Sequence, residues 1–202
     1  METEQNAGIR TGTKRTSRTR HTVGDALVSL MRERPYGTIT VEDVVSRADV
    51  SRSTFYSHFD GKDDLLTSHY AQFFDFIASE CMRRDGASLR IAPMAFMVAH
   101  LAEDRYRDFY RALTRTGKMT SLRALAVERL SAKFESELNL LGRGRDPRIP
   151  VQVIAHFVAA TFLDLIEWWV DNERPYPPQQ MQAIFDGLVR PAIERAIGVP
   201  VG

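Results

Sequence analysis

Residues 38–66 read TITVEDVVSRADVSRSTFYSHFDGKDDLL, and this stretch predicts two short helices joined by a tight turn. Thr40 is a suitable N-cap for the first helix, and Asp43 stands three residues later, at the position of the reciprocal partner in a capping box. Ser51 can cap the second helix after a two-residue break. A helix, a tight turn and a second helix in this order are typical of a helix-turn-helix.

The second of these helices has an apolar face and a polar face. Phe55 and Phe59 are four residues apart and point the same way, which would hold this helix against the first one. Arg52 lies in the first helical turn, where a cation opposes the helix dipole unless a polyanion faces it, although an ordinary surface arginine is the alternative interpretation. The free face carries groups able to donate to phosphates and to touch base edges, on Ser53, Thr54, Tyr56 and Ser57.

The rest of the chain also shows helical apolar spacing. A first helix with an apolar stripe over residues 23–31 ends before Pro35, and a long fourth helix runs from Lys62 to about Arg84. No segment alternates convincingly with period two, so the sequence predicts an all-α fold of about nine helices. It would comprise an amino-terminal three-helix helix-turn-helix domain and a larger carboxy-terminal helical bundle domain. The further helices are expected near residues 89–102, 104–115, 119–141, 151–172 and 178–197.

Composition bounds the class of protein. The 202 residues are 44% hydrophobic and 26% charged, as in an ordinary soluble globular chain long enough for one large domain or two small ones. A single cysteine, Cys81, excludes an internal disulfide, and the polar, basic amino terminus lacks a secretory signal, so a cytoplasmic location is expected. Polar residues such as Asp164 and Glu167 interrupt the apolar stretch 149–170, so we expect no membrane-spanning helix.

Charge distribution is more informative than total charge. Lys plus Arg (27) nearly balances Asp plus Glu (26), but residues 10–20 contain Arg10, Lys14, Arg15, Arg18 and Arg20 and no acidic side chain. Such a cluster is suited to bind a polyanion. A solvated, flexible tail is the alternative interpretation of the same run.

Sequence signatures of catalysis and of metal binding are absent. The chain has no phosphate-binding glycine loop and no HExxH, CxxC or GxSxG motif. His100 with Glu103 and Asp104 could hold a divalent ion, but an exposed charged helix face explains this spacing better. The run DGKDD at 60–64 lacks the alternating ligands of a calcium loop and fits a helix start. We therefore expect neither an enzyme nor a bound metal or cofactor.

The 38–66 stretch resembles the DNA-binding signature of the TetR family of bacterial transcriptional regulators. It shares with that family a Thr cap, a Val-Ser turn, a recognition helix that ends in F-Y-x-H-F, and a Lys followed by two acidic residues and Leu. The resemblance implies that phosphate contacts come from Thr40, Tyr56, His58 and Lys62. It implies that base edges are faced by Arg52, Ser53 and Thr54, and Ser51 completes the set of expected DNA-binding residues.

Two positions depart from the family pattern. Asp49 stands where the turn usually has Gly, and Asp tolerates the left-handed conformation, so we expect the turn to be kept. Gly61 replaces the usual Ser or Asn cap of the fourth helix, and the cap is expected to shift to Asp60.

The chain is thus expected to be a transcriptional regulator, a ligand-responsive repressor that binds a pseudo-palindromic operator in double-stranded DNA as a homodimer. Its parts would be a flexible basic arm (1–17), the helix-turn-helix domain (18–62) and an effector-binding and dimerisation domain (63–202). Two alternatives stay open. One is a TetR-like coactivator that acts through a protein partner without binding an operator, and the other is a helical enzyme or carrier with a fortuitous helix-turn-helix.

Two surfaces of the second domain are predicted from apolar residues. The 151–172 helix is apolar on more than one face and must be covered on both sides, which predicts a dimer through the last two helices. The expected contacts are Phe157, Phe162, Leu165, Trp169, Ala183, Gly187 and Leu188. A Met and aromatic set suits a pocket for an apolar or aromatic small-molecule effector, although such residues are more often plain core. This set is Phe73, Ile77, Met94, Met97, Tyr106, Phe109, Tyr110 and Phe134.

Overall fold

The computed structural model describes residues 2–85, 88–91, 93–142 and 146–198, and among them the side chains of 18–79, 94–103, 108–142 and 146–198. This described part is almost entirely helical, which confirms the all-α fold class and the expected number of helices. The nine α-helices found in it are α1 (Glu2–Glu33), α2 (Val41–Ala48), α3 (Arg52–Tyr56), α4 (Lys62–Cys81), α5 (Pro93–Ala102), α6 (Asp104–Thr114), α7 (Met119–Leu141), α8 (Val151–Asp171) and α9 (Pro178–Ile197). A single 3₁₀ turn, Tyr36–Thr38, lies between α1 and α2.

The stretch after α4 corrects the expectation from the sequence. α4 ends at Cys81 rather than near Arg84, and a short strand β1 (Met82–Asp85) pairs antiparallel with β2 (Ser88–Ile91). α5 accordingly begins at Pro93 and not near residue 89. The Asp-Gly dipeptide at 85–86 is a hairpin signal in the sequence. A prediction that uses only helical apolar spacing does not take this signal into account.

The amino-terminal segment continues into the first helix. α1 begins at Glu2, so its backbone includes most of the segment that the sequence predicted as a flexible basic arm, residues 1–17. The side chains of residues 1–17 lie outside those the structure describes. The arm and its contact with a polyanion therefore stay predictions.

The chain divides into two compact units. The first comprises Met1–Tyr70 and Asp108–Met119, and the second comprises Ala71–Arg107 and Thr120–Gly202. The division falls inside α4, whereas the domain boundary expected from the sequence lies at residue 62, where this helix begins. α4 therefore contributes residues to both units.

The first unit has an apolar interior built from α1, α2, α3 and the start of α4. The large apolar side chains of these helices that are buried in this interior are at most 4% exposed. Burying one such Leu, Ile or Phe side chain contributes about 1.5–3 kcal/mol to folding. The largest members are Val23, Leu27, Leu30, Met31, Ile39, Val44, Val45, Phe55, Phe59, Leu65 and Leu66.

Helices α1 and α4 approach each other closely at Gly24. A Cβ on Gly24 would lie 2.0 Å from Nδ1 of His69 and 2.8 Å from Cγ of the same ring, so only a glycine leaves space for this histidine. Nδ1 of His69 is buried and has no hydrogen-bond partner among the described residues. Burial lowers the pKa of His69, a shift that Asp25 opposes and His21 reinforces. The imidazole is therefore packed in its neutral form.

The second unit has its own core, formed by α4, α5, α7, α8 and α9. The rings of Phe162 on α8 and Phe185 on α9 meet edge to face with centroids 5.9 Å apart, a favourable geometry for an aromatic pair. Gln182 on α9 accepts a hydrogen bond from the backbone N–H of Ala95 at 3.1 Å and so satisfies one free donor at the start of α5. Residues with no exposed surface here include Ile77, Met94, Val98, Leu130, Phe134, Leu138, Val158, Phe162, Met181, Phe185 and Ile193.

By length and composition alone, α8 could cross a membrane, and it is the one helix of the described residues that passes this test. A core helix of a soluble protein passes it equally well. α8 buries Phe162, Ile166 and Trp169 inside the second unit. A single helix of this kind is weak evidence for a membrane protein.

We expect the free energy of unfolding to fall as the pH is lowered from 7.5 to 5.5. The unfolded chain binds a proton at His69 near its ordinary pKa of 6.5, whereas the folded chain, with a lowered pKa, does not. The stability that comes from keeping His69 neutral is therefore complete above pH 6.5 and is lost below it, by at most about 1.4 kcal/mol per pH unit. Urea titrations followed by circular dichroism at several pH values measure this loss.

Two matched variants locate the effect. His69→Gln removes the titrating group and should flatten the pH dependence between 7.5 and 5.5, whatever its effect on stability at neutral pH. His156→Gln, at an exposed position of α8, should leave the slope close to that of the parent chain. A slope that is unchanged in His69→Gln would show that another group carries the pH dependence.

Candidate nucleic-acid interface

The predicted capping box fixes the start of α2. The hydroxyl oxygen of Thr40 accepts from the N–H of Asp43 at 3.2 Å, and Asp43 accepts from the N–H of Thr40 at 2.8 Å. The Thr40 hydroxyl also donates to the same carboxylate at 2.7 Å. Arg34 lies 2.7 Å from this carboxylate, and it and Thr40 hold the pKa of Asp43 far below its ordinary value. Thr40 is exposed. Its N–H and its hydroxyl both already donate to Asp43.

The turn between α2 and α3 is kept, as expected for Asp49. This residue has φ 52° and ψ 49°, the left-handed conformation that Asp tolerates better than most residues. The N–H of Val50 bonds to the carbonyl of Val45 at 3.1 Å and closes the end of α2. The turn thus sets the direction in which α3 leaves α2.

α3 is shorter than predicted. It covers Arg52–Tyr56 and passes into a turn before Phe59, although the N–H of Phe59 still bonds to the carbonyl of Phe55 at 3.0 Å. The Ser51 hydroxyl caps the helix by accepting from the N–H of Thr54 at 3.1 Å. Phe55 and Phe59 are buried with ring centroids 5.6 Å apart, and they attach α3 to the first unit.

The outer face of α3 carries the polar groups that the sequence predicted there. Ser53 and Ser57 are exposed, Thr54 is half-buried, and the Ser51 hydroxyl lies within 2.9 Å of the Ser53 hydroxyl. Tyr56 is 55% exposed, and its ring packs edge-on against Phe55 at 5.3 Å. A phenol held in this way presents its hydroxyl at the surface of a short, well-anchored helix.

Arg52 has a partner that the sequence did not indicate. Its Nε lies 2.8 Å from Oε2 of Glu42, in the first turn of α2, and both side chains are about two-thirds exposed, at 66% and 64%. This ion pair connects the first turns of α2 and α3 across the outer surface of the helix-turn-helix. No periodicity or spacing rule pairs residues ten positions apart across a turn, so only the structure reveals it.

His58 and Arg20 connect α1 with the end of α3. Arg20 donates to the backbone carbonyl of His58 at 3.4 Å, and its guanidinium lies 4.8 Å from the centroid of the Phe59 ring. His58 is half-buried beside Phe59. One of the basic residues between positions 10 and 20 thus stabilises the first unit itself.

Lys62 is placed differently from the expectation of a phosphate contact. Its ammonium donates to the backbone carbonyls of Tyr36 at 2.8 Å and Ile39 at 2.6 Å, and it lies 4.2 Å from the Tyr36 ring centroid. Burial is the main cause of its lowered pKa. These contacts make Lys62 a brace between α4 and the segment before α2, and a contact of its ammonium with a phosphate stays a prediction.

Asp63 extends this brace. It accepts from the Tyr36 hydroxyl at 2.5 Å and from the Lys118 ammonium at 2.9 Å, and these two donors lower its pKa. Burial, together with the contact to Asp63, raises the pKa of Tyr36. The 3₁₀ turn, the start of α4 and the segment before α7 are therefore held by one group of charged and aromatic side chains.

The start of α4 differs from the expected cap. The backbone N–H of Asp60 donates to the carboxylate of Asp64 at 3.1 Å, and the N–H of Leu65 bonds to the carbonyl of Gly61 at 3.0 Å. Asp60 therefore takes part through its backbone N–H, as a donor to a side chain of the first helical turn. The expected cap would instead use the side chain of Asp60 as an acceptor. Asp64 in the first turn also complements the helix dipole.

The residues predicted for a dimer fall into two groups. Phe157, Ala183, Gly187 and Leu188 are exposed on α8 and α9, and Leu165 is half-buried. Phe162 and Trp169 are instead covered by the chain itself, and the Trp169 indole donates to the carbonyl of Tyr176 at 2.8 Å. A helix that is apolar all round does not reveal which face its own chain covers, so these two residues were assigned to the wrong side. Val153, one turn before Phe157 on α8, is also exposed and is missing from the predicted set. Its i, i+4 spacing from Phe157 places both side chains on one face of the helix and could have indicated it.

The residues predicted for an effector pocket are not all in one unit. Phe109 and Tyr110 belong to the first unit and are half-buried, and the Tyr106 side chain lies outside those described. In the second unit, Phe73 is half-buried, and fully or almost fully buried are Ile77, Met94, Met97 and Phe134. A cavity of about 70 Å³ in this unit lies elsewhere, lined by Leu138, Asn139, Gly142, Pro147, Val151 and Ile197. The pocket therefore stays a prediction.

His100, considered above as a metal ligand, lies in aromatic surroundings. Its ring stacks on Phe96, with centroids 5.3 Å apart and planes at 19°, and lies 6.2 Å from the Phe73 ring. Within the described part of the chain, no three His, Cys, Asp or Glu side chains form a group that could hold a metal ion.

Comparison with known proteins relates this geometry to a family. Residues 25–68 match the sequence profile "Bacterial regulatory proteins, tetR family". The uncharacterised HTH-type transcriptional regulator YxbF of Bacillus subtilis is 24% identical over 177 residues, which are 85% of this chain. The chain spans 44% of the length of that relative.

Solved structures share the fold over nearly the whole chain. The TetR family repressor AlkX of Dietzia sp., implicated in biodegradation of n-alkanes, is 21% identical with a TM-score of 0.57, and the match covers 88% of this chain and 96% of AlkX. FadR of Bacillus subtilis, solved in complex with stearoyl-CoA, is 17% identical with a TM-score of 0.53, and the match covers 84% and 96% of the two chains. The helix-turn-helix of this chain is therefore similar to that of the TetR family of bacterial regulatory proteins, and its fold is that of the solved TetR family structures.

Proposed function

We propose that this chain binds double-stranded DNA through α2, the turn at Asp49 and α3, and that it regulates transcription in the cytoplasm. The observation that carries the proposal is the outer face of α3, where Arg52, Ser53 and Tyr56 are exposed on a helix fixed from below by buried Phe55. Hydroxyl, phenol and guanidinium groups are those that bind phosphates and base edges. The resemblance to ligand-responsive repressors favours repression over activation.

The proposed mode of binding uses two copies of the chain. Two recognition helices related by a two-fold axis would enter successive major grooves about 34 Å apart and read a pseudo-palindromic operator. Tyr56 would contact phosphates, while Arg52, Ser53 and Thr54 would face base edges. Thr40 and His58 keep a proposed role at the phosphates, and Ser51 orients the start of α3.

We expect selective and salt-sensitive binding to DNA. Fragments of the source genome retained by the purified chain should share a pseudo-palindrome, and the logarithm of the binding constant should fall linearly with the logarithm of the salt concentration, with a slope of about −0.9 per neutralised phosphate. Tyr56→Phe removes one hydroxyl donor to a charged acceptor and should weaken binding to all sequences by about 10- to 100-fold. Fluorescence anisotropy titrations measure both effects.

A tyrosine of the second unit serves as the control. Tyr176→Phe makes the same chemical change at a residue that stacks on Trp168 and should leave DNA affinity unchanged. Binding of Tyr56→Phe at the parent affinity would contradict only the role of this phenol. A chain that retains no duplex even at low salt would contradict the proposed function, and a folded dimer with that behaviour would favour the coactivator alternative.

We also propose a homodimer through α8 and α9. Val153, Phe157 and Trp168 on α8 and Leu188 on α9 are each at least 43% exposed, and apolar side chains grouped in this way mark interaction surfaces. Gly187 supports the same surface. Apart from its chain neighbours and the adjacent backbone of α9, no heavy atom of the described chain would lie within 4 Å of a Cβ at this position, and a mid-helix glycine costs about 1 kcal/mol relative to alanine. A partner helix that approaches closely at Gly187 would account for it.

Charge added to this surface should dissociate the dimer. We expect the parent chain to sediment as a dimer at micromolar concentration and Leu188→Glu to sediment as a folded monomer, because the dimer would bury an unpaired carboxylate. Ala132→Glu, at an exposed position of α7, likewise replaces an apolar side chain by a carboxylate and should remain dimeric. A parent chain that is monomeric would contradict the proposal, as would a Leu188→Glu variant that is still dimeric.

We propose further that an apolar or aromatic small molecule controls the affinity for DNA. Two structural relatives support this class of ligand, since FadR of Bacillus subtilis was solved with stearoyl-CoA and AlkX of Dietzia sp. is implicated in biodegradation of n-alkanes. Buried Met94 and Met97 of α5 add flexible apolar surface that can adapt to such a molecule.

Thermal-shift screening followed by operator titration tests this control. Stearoyl-CoA, hexadecane and a panel of aromatic metabolites are the probes. At least one of them is expected to raise the melting temperature and to lower operator affinity by about 100-fold, a coupling free energy of about 2.7 kcal/mol. Probes that raise the melting temperature while operator affinity stays constant would contradict the control of DNA binding.

A further inference from the structure

The ion pair between Glu42 and Arg52 is not explained by folding stability. Both side chains are about two-thirds exposed, and an exposed pair of this kind contributes little, typically about 0–1 kcal/mol, because water screens it and two long side chains lose freedom. The pair nevertheless places a carboxylate on the outer surface of the helix-turn-helix, where phosphates would repel it. A reason for this arrangement must therefore be sought in what Arg52 does.

The geometry of the pair leaves part of the guanidinium available. Glu42 contacts Arg52 through Nε at 2.8 Å. The two terminal nitrogens, Nη1 and Nη2, point away from Nε and form the planar fork that can donate to two acceptors at once. In the major groove, O6 and N7 of guanine present two such acceptors, and an arginine fork on guanine is the commonest base-specific contact.

We propose that Glu42 is a positioning residue for base recognition, which holds Arg52 so that its fork meets one guanine in each half-site. The inference rests on the proposed DNA binding of this chain. Holding one rotamer in the free protein reduces the entropy that Arg52 loses when it binds, and it disfavours contacts of the same guanidinium with a neighbouring phosphate. The carboxylate lowers affinity for all DNA alike. Glu42 would therefore weaken binding to every sequence while it increases the preference for guanine at one position.

The test compares base preference across a set of variants. The parent chain, Glu42→Ala, Glu42→Gln, Arg52→Ala and the Glu42→Ala/Arg52→Ala double variant each select from a pool of randomised duplexes, and anisotropy titrations give affinities for the selected site and for a scrambled duplex. Arg52→Ala is expected to lose the preference for guanine at one position of the half-site, a loss on the order of tenfold or more. Glu42→Ala should weaken the preference at that same position and bind the scrambled duplex several-fold more tightly, because a negative charge has left the interface.

Two further comparisons separate positioning from a general effect. Glu42→Gln keeps an acceptor for Nε and should retain more of the guanine preference than Glu42→Ala, and the double variant should behave like Arg52→Ala because Glu42 acts only through Arg52. Glu33→Ala is the matched control. Glu33 pairs with Arg47 through two contacts of 2.7 and 2.8 Å, so this variant removes the same charge and an ion pair that does not involve Arg52, and it should keep the guanine preference of the parent chain.

The outcomes distinguish this inference from the proposed function. A parent chain that selects no sequence overturns the DNA-binding function and the inference with it. If the parent chain selects an operator, then full guanine preference in Glu42→Ala, a change at a different position from that of Arg52→Ala, or additive losses in the double variant would overturn the role of Glu42 alone. Circular dichroism melts establish that each variant is folded, and Glu42→Gln provides the test if Glu42→Ala is not.

Discussion

The burial of Phe55 and Phe59 is the constraint on which the rest of the helix-turn-helix depends. α3 has five residues, far fewer than an isolated helix needs to be stable in water, so its structure comes from its contacts and not from its own hydrogen bonds. The two rings, 3% exposed or less, fix one face of α3 inside the first unit and leave its hydroxyls, phenol and guanidinium at the surface. Asp49 in the left-handed conformation directs the chain from α2 into this position, and Ser51 caps the helix that results. Sequence-specific contacts need this rigidity, because a side chain can discriminate between bases only if its backbone is held in place.

The charged residues around this core serve two different purposes. Arg34 with Asp43 and Arg47 with Glu33 join α2 to the end of α1, while Lys62 and Asp63 join the start of α4 to the turn before α2. These groups hold the elements together by charge-assisted hydrogen bonds, which are stronger than neutral ones.

Glu42 and Arg52 are more exposed and connect only the outer surfaces of α2 and α3. The basic residues of the first unit are thus divided between those that brace its elements and Arg52, whose proposed role is recognition, and composition alone does not separate the two groups.

The sequence predicted what depends on local chemistry. Helices α7 and α9 have the expected bounds because long apolar stripes end at proline and glycine signals, and the capping box at Thr40 and the left-handed Asp49 follow from the preferences of single residues. The sequence did not predict which face of α8 its own chain covers, so Phe162 and Trp169 were assigned to a partner although they are core residues. The same holds for Lys62, whose family position suggests a phosphate contact and whose ammonium is bound to two backbone carbonyls. Both observations concern the direction of a side chain relative to a distant segment, and that direction is fixed by tertiary packing.

The position of Lys62 also bears on how an effector could act. α4 contributes residues to both units, and its first residue bonds to the carbonyls of Tyr36 and Ile39, immediately before the cap of α2. A displacement of the start of α4 would have to break these bonds or move the segment before α2 with it, and α2 sets the position of α3 through the turn at Asp49. A ligand can exploit this connection only as far as it binds the two arrangements with different affinity, since equal affinity shifts no equilibrium. If the proposed effector displaces the start of α4, the brace formed by Lys62, Tyr36 and Asp63 is the contact through which this displacement would reach α2 and α3, and the free energy for it must come from the ligand.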